Sequence, residues 1–400
     1  MQPFSLSRRR ALFGLTALSG FGLAMPGVAF AKAPGERRFV VVILRGALDG
    51  LSAVVPYGDP DLAALRPELI PPMPGQENGL LDLGGMFGLH PALVESHAMY
   101  QAGEFLVVHA VAGGYRLRSH FEAQDILESG GEQRLSNGWL NRAAQLVPDR
   151  GGSTAQPRAI AVGAAVPLIL RGNQAVANWA PHAFTEPRQT LYQSIQSLNQ
   201  ADPLTGPAIT AGMRDRGFGN QMAGETEKGG ARFAFPALAK AAGHLLRTAD
   251  GPRIAALEIG GWDTHTFQMN RIAGPLAQLD AGLGALKSAL GEAWQQTVVL
   301  AMTEFGRTAR MNGTQGTDHG TATVAFVAGG AVSGGRVAAN WPGLGAGRLY
   351  ENRDLAPGTD IRAVAKGLLA SHLGHDNAAL NIVFPGADSI APMQGLMRTT

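Results

Sequence analysis

Six short, essentially apolar runs constrain this chain more tightly than anything else in its sequence. Residues 39–44, 105–111, 159–162, 254–259, 297–302 and 323–327 lack the polar/apolar alternation of a half-exposed strand. They read as strands buried on both faces, the mark of a parallel sheet. Helical patterns fall between them, at 91–102, 121–127, 235–247, 268–293 and 361–373. The alternation predicts an α/β fold, a three-layer α/β/α sandwich around a mostly parallel, doubly wound sheet. Residues 68–85 and 198–230 are rich in Pro, Gly and polar groups and read as loops or insertions, the second as a lid. No linker separates two bodies, so residues 32–400 are expected to form a single domain.

The N-terminus reads differently. Ser7-Arg8-Arg9-Arg10-Ala11-Leu12-Phe13 sets an arginine cluster before a mild apolar stretch broken by Gly14, Gly20, Gly22, Pro26 and Gly27. Such a stretch is poorly suited to stay in a bilayer. Ala29-Phe30-Ala31 offers the small residues that a signal peptidase needs. The pattern predicts a twin-arginine signal over residues 1–31, an address read by a receptor, with an ordinary secretory signal or an uncleaved anchor as the alternatives. The mature chain is then periplasmic or otherwise extracytoplasmic. Its partner during export is the Tat translocase, which carries folded proteins, and no stable membrane anchor is expected.

Chemistry is bounded by what the chain lacks. It has no cysteine, so disulfides, thiolate catalysis and Cys-type zinc sites are excluded. The net charge of +2 comes without a basic block, so nucleic acid is not an expected partner. Any metal must sit on carboxylates, imidazoles, hydroxyls or water.

Ionisable residues follow the C-terminal ends of several of the strands, the edge where open α/β sheets bind ligands. The first strand leads into Asp49-Gly50, by itself an ordinary turn. The fourth leads into Glu258-Ile259-Gly260-Gly261-Trp262-Asp263-Thr264-His265. The fifth leads into Thr303-Glu304-Phe305-Gly306-Arg307, and a Gly-rich loop adds Gly316-Thr317-Asp318-His319-Gly320. Carboxylates crowded on one edge need cations to neutralise them. Oxygen ligands with imidazole suit zinc, manganese, magnesium or calcium, one or two ions per chain. The structural alternative has Glu258 and Asp263 capping helices, His265 and His319 bonding buried carbonyls, and Glu304 pairing with Arg307. Ser119, in Arg116-Leu117-Arg118-Ser119-His120-Phe121, opens a helix and reads equally as a nucleophile or as a plain N-cap. Arg116, Arg118, His120 and Arg307 are candidates to bind the substrate. His90, His97, His109 and His182 read as structural.

The pattern resembles the alkaline-phosphatase-like superfamily, which includes sulfatases and phosphodiesterases. More narrowly it resembles an exported bacterial family known as domain of unknown function 1501. The residues that carry the narrower likeness are Leu44-Arg45-Gly46, Asp49-Gly50-Leu51, Gly88-Leu89-His90-Pro91, Arg118-Ser119-His120-Phe121, Gly261-Trp262-Asp263-Thr264-His265 and Thr303-Glu304-Phe305-Gly306-Arg307. The resemblance implies an alkaline-phosphatase-like fold and a hydrolase of phosphate esters or related anionic esters. Ser119 would be the nucleophile, with Asp49, Asp263, His265, Glu304 and His319 as metal ligands, Glu258 as an auxiliary ligand, and Asp318 as a further candidate. Its partner would be a small anionic substrate or an ester-bearing polymer. Phe305 stands where the superfamily has a histidine, so one site has lost a ligand or recruits another, with His120 and Asp318 as the candidates. The lack of a Cys/Ser-x-Pro-x-Arg context disfavours sulfatase chemistry. The rival function is a non-catalytic binding or assembly protein with a degenerate metal site.

Overall fold

Eight residues without polar alternation, Arg38–Arg45, form β1 at the centre of the computed structural model. Phe39, Val41 and Ile43 enter one core cluster, and Val40, Val42 and Leu44 enter another. Both faces of the strand are therefore core, which is why its sequence does not alternate. The structure describes residues 36–147, 157–181, 189–199, 202, 206, 209 and 234–398. The expected signal over 1–31, His182 and almost all of the expected lid over 198–230 lie outside these residues.

The sheet is completed by β2 (Phe105–Ala112), β3 (Ala159–Val162), β4 (Val176–Trp179), β5 (Ile254–Gly260), β6 (Thr297–Thr303), β7 (Thr323–Ala328), β8 (Arg336–Ala339) and β9 (Thr359–Asp360). Its order is β8-β2-β7-β6-β1-β5-β3-β4, with β9 also pairing with β2. Among the described residues every pairing in this sheet is parallel except the two made by β7, which runs against both β2 and β6. The expectation of a mostly parallel sheet therefore holds, and residues 323–327 are corrected to an antiparallel strand. An enclosed strand is apolar whichever way it runs, so composition cannot reveal its direction.

Helices cover both faces. On one side lie α1 (Val94–Gln101), and further along the chain Phe235–Arg247 and Gln268–Leu290. On the other lie Trp139–Leu146, Ile361–Leu368 and Asn377–Val383. His120–Ser129, called α2 below, follows β2 and places Leu127 in this second cluster. In chain order after α2, these helices are α3 (Trp139–Leu146), α4 (Phe235–Arg247), α5 (Gln268–Leu290), α6 (Ile361–Leu368) and α7 (Asn377–Val383). No helix among the described residues is long and apolar enough to cross a membrane.

Three buried histidines set an acid limit on this core. In β2, His109 Nδ1 accepts the Ala110 N–H at 2.7 Å and Nε2 donates to the Val54 carbonyl at 3.0 Å, so only the neutral ring satisfies both partners. His372 Nε2 donates to the Arg38 carbonyl at 2.9 Å, and His90 Nδ1 accepts the Ala92 N–H at 3.1 Å. Burial pushes all three from the ordinary 6.5 down to about 4. Between those pH values the unfolded chain binds protons that the folded chain does not. Their contribution to stability is therefore complete above pH 6.5 and is lost as pH falls toward 4. Each depressed group contributes about 1.4 kcal/mol per pH unit inside that window. Urea midpoints measured from pH 7 down to pH 5 should fall steadily, and a flat profile would contradict this account.

Candidate metal centre

The C-terminal ends of β2, β5 and β6 and the N-terminal end of β7 share one edge of the sheet, because β7 runs the other way. The loops at that edge carry the candidate residues. Two close backbone approaches bring them together. Gly46, after β1, sits at φ +121 with its N–H donating to Glu304 Oε1 at 2.9 Å, and a Cβ there would lie 3.0 Å from the Asp263 nitrogen. At Gly316 a Cβ would lie 2.1 Å from the His265 carbonyl oxygen, so only glycine lets the 304–322 loop rest on the turn after β5.

Three side chains, His120, Asp263 and His319, bring ligand atoms within 4.8 Å of one another, and His265 borders them on the far side of His319. His319 Nε2 is 3.0 Å from His120 Nε2 and 3.1 Å from His265 Nε2. Asp263 Oδ1 lies 2.9 Å from His265 Nε2, 3.4 Å from His319 Nε2 and 3.7 Å from His120 Nε2. The site is open, with Asp263 48 % and His265 40 % exposed at their side chains.

The outer ring nitrogens decide what the inner ones can do. His120 Nδ1 bonds Glu304 Oε1 at 2.7 Å, His319 Nδ1 bonds the Arg118 carbonyl at 3.0 Å, and His265 Nδ1 faces Asp318 Oδ1 at 3.3 Å. A carbonyl and an ionised carboxylate only accept, so each Nδ1 carries the proton. When the rings are neutral, the Nε2 lone pairs of His120 and His319 and the Asp263 oxygen face one another, an arrangement that a cation among them would stabilise. Ligands at about 2.0–2.1 Å from a tetrahedral zinc lie roughly 3.3 Å apart, close to the separations above. The His120–Asp263–His319 set therefore fits a cation, each of its imidazoles being held by an acceptor behind it.

Local charges act unevenly on the two imidazoles, favouring the charged form of His120 and the neutral form of His319. The Glu304 hydrogen bond holds His120 above the usual histidine value, against the effect of partial burial. Burial, aided by the charges of His120 and Arg307, pushes His319 below it. Burial would raise Glu304, but donors from His120, Gln124 and Thr303 outweigh it and keep the carboxyl below its ordinary range. Asp263 is likewise held low, Arg307 overcoming the opposing effect of burial.

Several residues named from the sequence stand elsewhere. Asp49 is enclosed away from the imidazoles and caps the turn Gly50–Ala53. Its Oδ2 accepts from Arg66 Nη1 at 2.7 Å, Ser52 Oγ at 2.8 Å and Gln268 Nε2 at 2.5 Å, which leaves no coordination free for a metal. Glu258 pairs with Arg45 at the edge of the sheet. Glu304 and Asp318 act behind His120 and His265 and do not reach the centre. Arg118 is bound to Asp354 and Glu351, and Arg116 to the carbonyls of Gly113 and Tyr115. Arg307, buried, spends its donors on Asp263 and Thr317. Trp262 and Phe305 are buried, Phe305 packing 4.9 Å from the His120 ring and 5.2 Å from that of His319. Ser119 is the N-cap residue of α2, yet its side chain makes no capping bond and instead meets Tyr115.

Other contributors were not singled out in the sequence. Gln124, one helical turn after His120, donates to Glu304 Oε1 at 2.9 Å. Gln268 accepts from Thr264 and Thr317 while donating to Asp49, so a buried chain of hydrogen bonds joins Asp49 through Thr317 to Arg307 and Asp263. The position of Gln124 four residues after His120 was the one available signal.

Asp49→Asn is expected to leave metal content unchanged while lowering stability by about 3–5 kcal/mol, because Arg66 would remain buried without its counter-charge. Elemental analysis beside a denaturation curve separates the two effects.

A family model described as "Protein of unknown function (DUF1501)" matches residues 112–382. No curated protein sequence matches the chain. Among solved structures, the chain is similar to the zinc complex of the C-terminal periplasmic domain of EcEptC from Escherichia coli. The identity is 10 %, over 74 % of this chain and 73 % of that one, with a TM-score of 0.34. It is also similar to phosphonate monoester hydrolase of Agrobacterium radiobacter, with 12 % identity over 84 % and 74 % of the two chains and a TM-score of 0.34. A third is TAB5 alkaline phosphatase with magnesium bound, with 10 % identity over 73 % and 90 % and a TM-score of 0.34. None of these likenesses fixes a residue correspondence.

Proposed function

From the premise that the chain belongs to the DUF1501 family, we propose that it is an exported metal-dependent hydrolase of phosphate esters or related anionic esters. One observation carries the reading: His120 and His319, whose outer nitrogens are bound to acceptors, bring their Nε2 atoms within reach of each other and of Asp263 Oδ1. His120, Asp263 and His319 would hold the ion, with His265 beside His319 as the candidate for a further ligand. Imidazole donors favour zinc or a similar transition metal over calcium and magnesium, which prefer all-oxygen shells. His120, named from the sequence among substrate-binding candidates and offered by the resemblance as a replacement ligand for the histidine missing at Phe305, is taken here as a ligand.

Bound there, the cation would supply Lewis acidity and neutralise charge on an ester oxygen. The chain supplies the rest. Ser119 opens α2 between Arg118, whose carbonyl holds His319, and His120, so its hydroxyl belongs to the same turn as two of the site's contacts. In the proposed reaction Ser119 Oγ forms a bond to phosphorus as the ester oxygen leaves with its electron pair, and the serine proton passes to solvent. Water then cleaves the phosphoserine. The N-terminal twin-arginine pattern supports placing this reaction outside the cytoplasm.

The test is metal content together with turnover. The mature protein, purified without chelator, should carry one equivalent of transition metal and hydrolyse 4-nitrophenyl phosphate mono- or diesters. Chelation should stop the reaction and zinc should restore it. A metal-loaded, folded protein inert toward every anionic ester tried would favour the binding-protein reading.

A further inference from the structure

Large apolar side chains are mostly enclosed in this protein, and three of the exceptions border the metal centre. Phe121 is 85 %, Leu117 79 % and Phe267 60 % exposed. Leu117 and Phe121 bracket the segment whose Arg118 carbonyl and His120 ring both contact His319. Phe267 lies two residues after His265, on the other side of the same histidine. Its backbone sits at φ 48, in the left-handed region that a bulky side chain rarely occupies. It contributes no burial to the core, so neither local preference nor packing accounts for a phenylalanine at that point. Arg118, between Leu117 and Ser119, is also left-handed at φ 59.

Resting on the hydrolase reading, we propose that the substrate is an anionic ester carrying an apolar arm, and that Leu117, Phe121 and Phe267 receive that arm beside the metal. Two features of the site support this. The ligands themselves are open to solvent, so a substrate can reach the metal while much of it remains outside. The guanidinium groups of Arg118 and Arg307 are already paired with carboxylates, so the site has little spare charge with which to grip a small, fully polar ester. The cation would then hold the anionic head and apolar contact would add to it, each methylene buried on such a rim strengthening binding by up to about fourfold.

Titration calorimetry on the zinc-loaded mature protein tests the idea without any need for turnover. Methyl-, butyl- and octylphosphonate share one anionic head and differ only in the arm. Octylphosphonate should bind the wild type at least about tenfold more tightly than methylphosphonate. The advantage should shrink to about threefold or less in the Leu117→Ser/Phe121→Ser variant and in Phe267→Ser taken alone. Ile382→Ser, a change at an exposed apolar residue of α7, should leave it intact. Equal affinities for the three phosphonates in the wild type, or no binding by any of them, would overturn the proposal. Chain-length-dependent binding with no hydrolysis of any ester would sink the hydrolase reading and leave the apolar rim standing.

Discussion

Asp263→Asn combined with His319→Ala is expected to reduce bound transition metal from one equivalent to none. Two of the three converging ligands are altered, and the remaining imidazoles, His120 and His265, each contact His319. Asparagine is chosen at Asp263 because its carbonyl can still accept a hydrogen bond from the buried Arg307, although the counter-charge is lost. Glu304→Gln should act more gently. It removes the charge behind His120 while leaving an acceptor, and an outer partner of this kind is worth about 10- to 100-fold in metal affinity. Equilibrium dialysis against zinc measures both variants, with circular dichroism to show that the sheet is intact. A fully loaded double variant would remove the proposed ligand set.

Ser119→Ala should lower turnover by about a thousandfold or more, with metal content and melting temperature unchanged. The side chain makes no capping bond to α2, so its loss should cost the helix little. This separates chemistry from structure at a position where the sequence left both open. Brief incubation with a slow phosphate ester should add one phosphate mass to the wild type and none to the variant. Undiminished turnover in Ser119→Ala would assign the attack on phosphorus to water.

How much of this was legible in the residues depended on burial. The apolar runs marked β1, β2, β3, β5, β6 and β7 because both faces of each are core. β4 and β8 were not marked: β3 is as short but buried throughout, whereas β4 is exposed at Asn178 and β8 is only half-buried along its length. The helices α3 and α7 are short and escaped for a related reason. At the site, spacing brought Asp263, His265 and His319 into consideration but could not rank them against Asp49, Glu258, Glu304 and Asp318. All seven follow or border the same sheet edge. Whether a carboxylate meets a metal or a guanidinium depends on a partner far away in sequence, as with Asp49 and Arg66 or Glu304 and His120. Phe305 occupies the place where the superfamily resemblance called for histidine, and it packs against the His120 and His319 rings.

The reversed direction of β7 has a consequence for how such a site can change over time or be rebuilt. Because β6 and β7 are antiparallel neighbours, residues 304–322 leave the sheet and return to it on one edge. They form a contiguous segment that carries Glu304, Arg307, Asp318 and His319, tied to the rest of the site through Thr317 and Gln268 and through Arg307 and Asp263. A parallel strand in that place would need a crossover past the opposite edge. A change of length within this segment can therefore be absorbed without shifting the strand register, provided that Thr317, Arg307 and the close approach at Gly316 are kept. Of the candidate ligands the segment brings only His319, while His120 and Asp263 come from other loops.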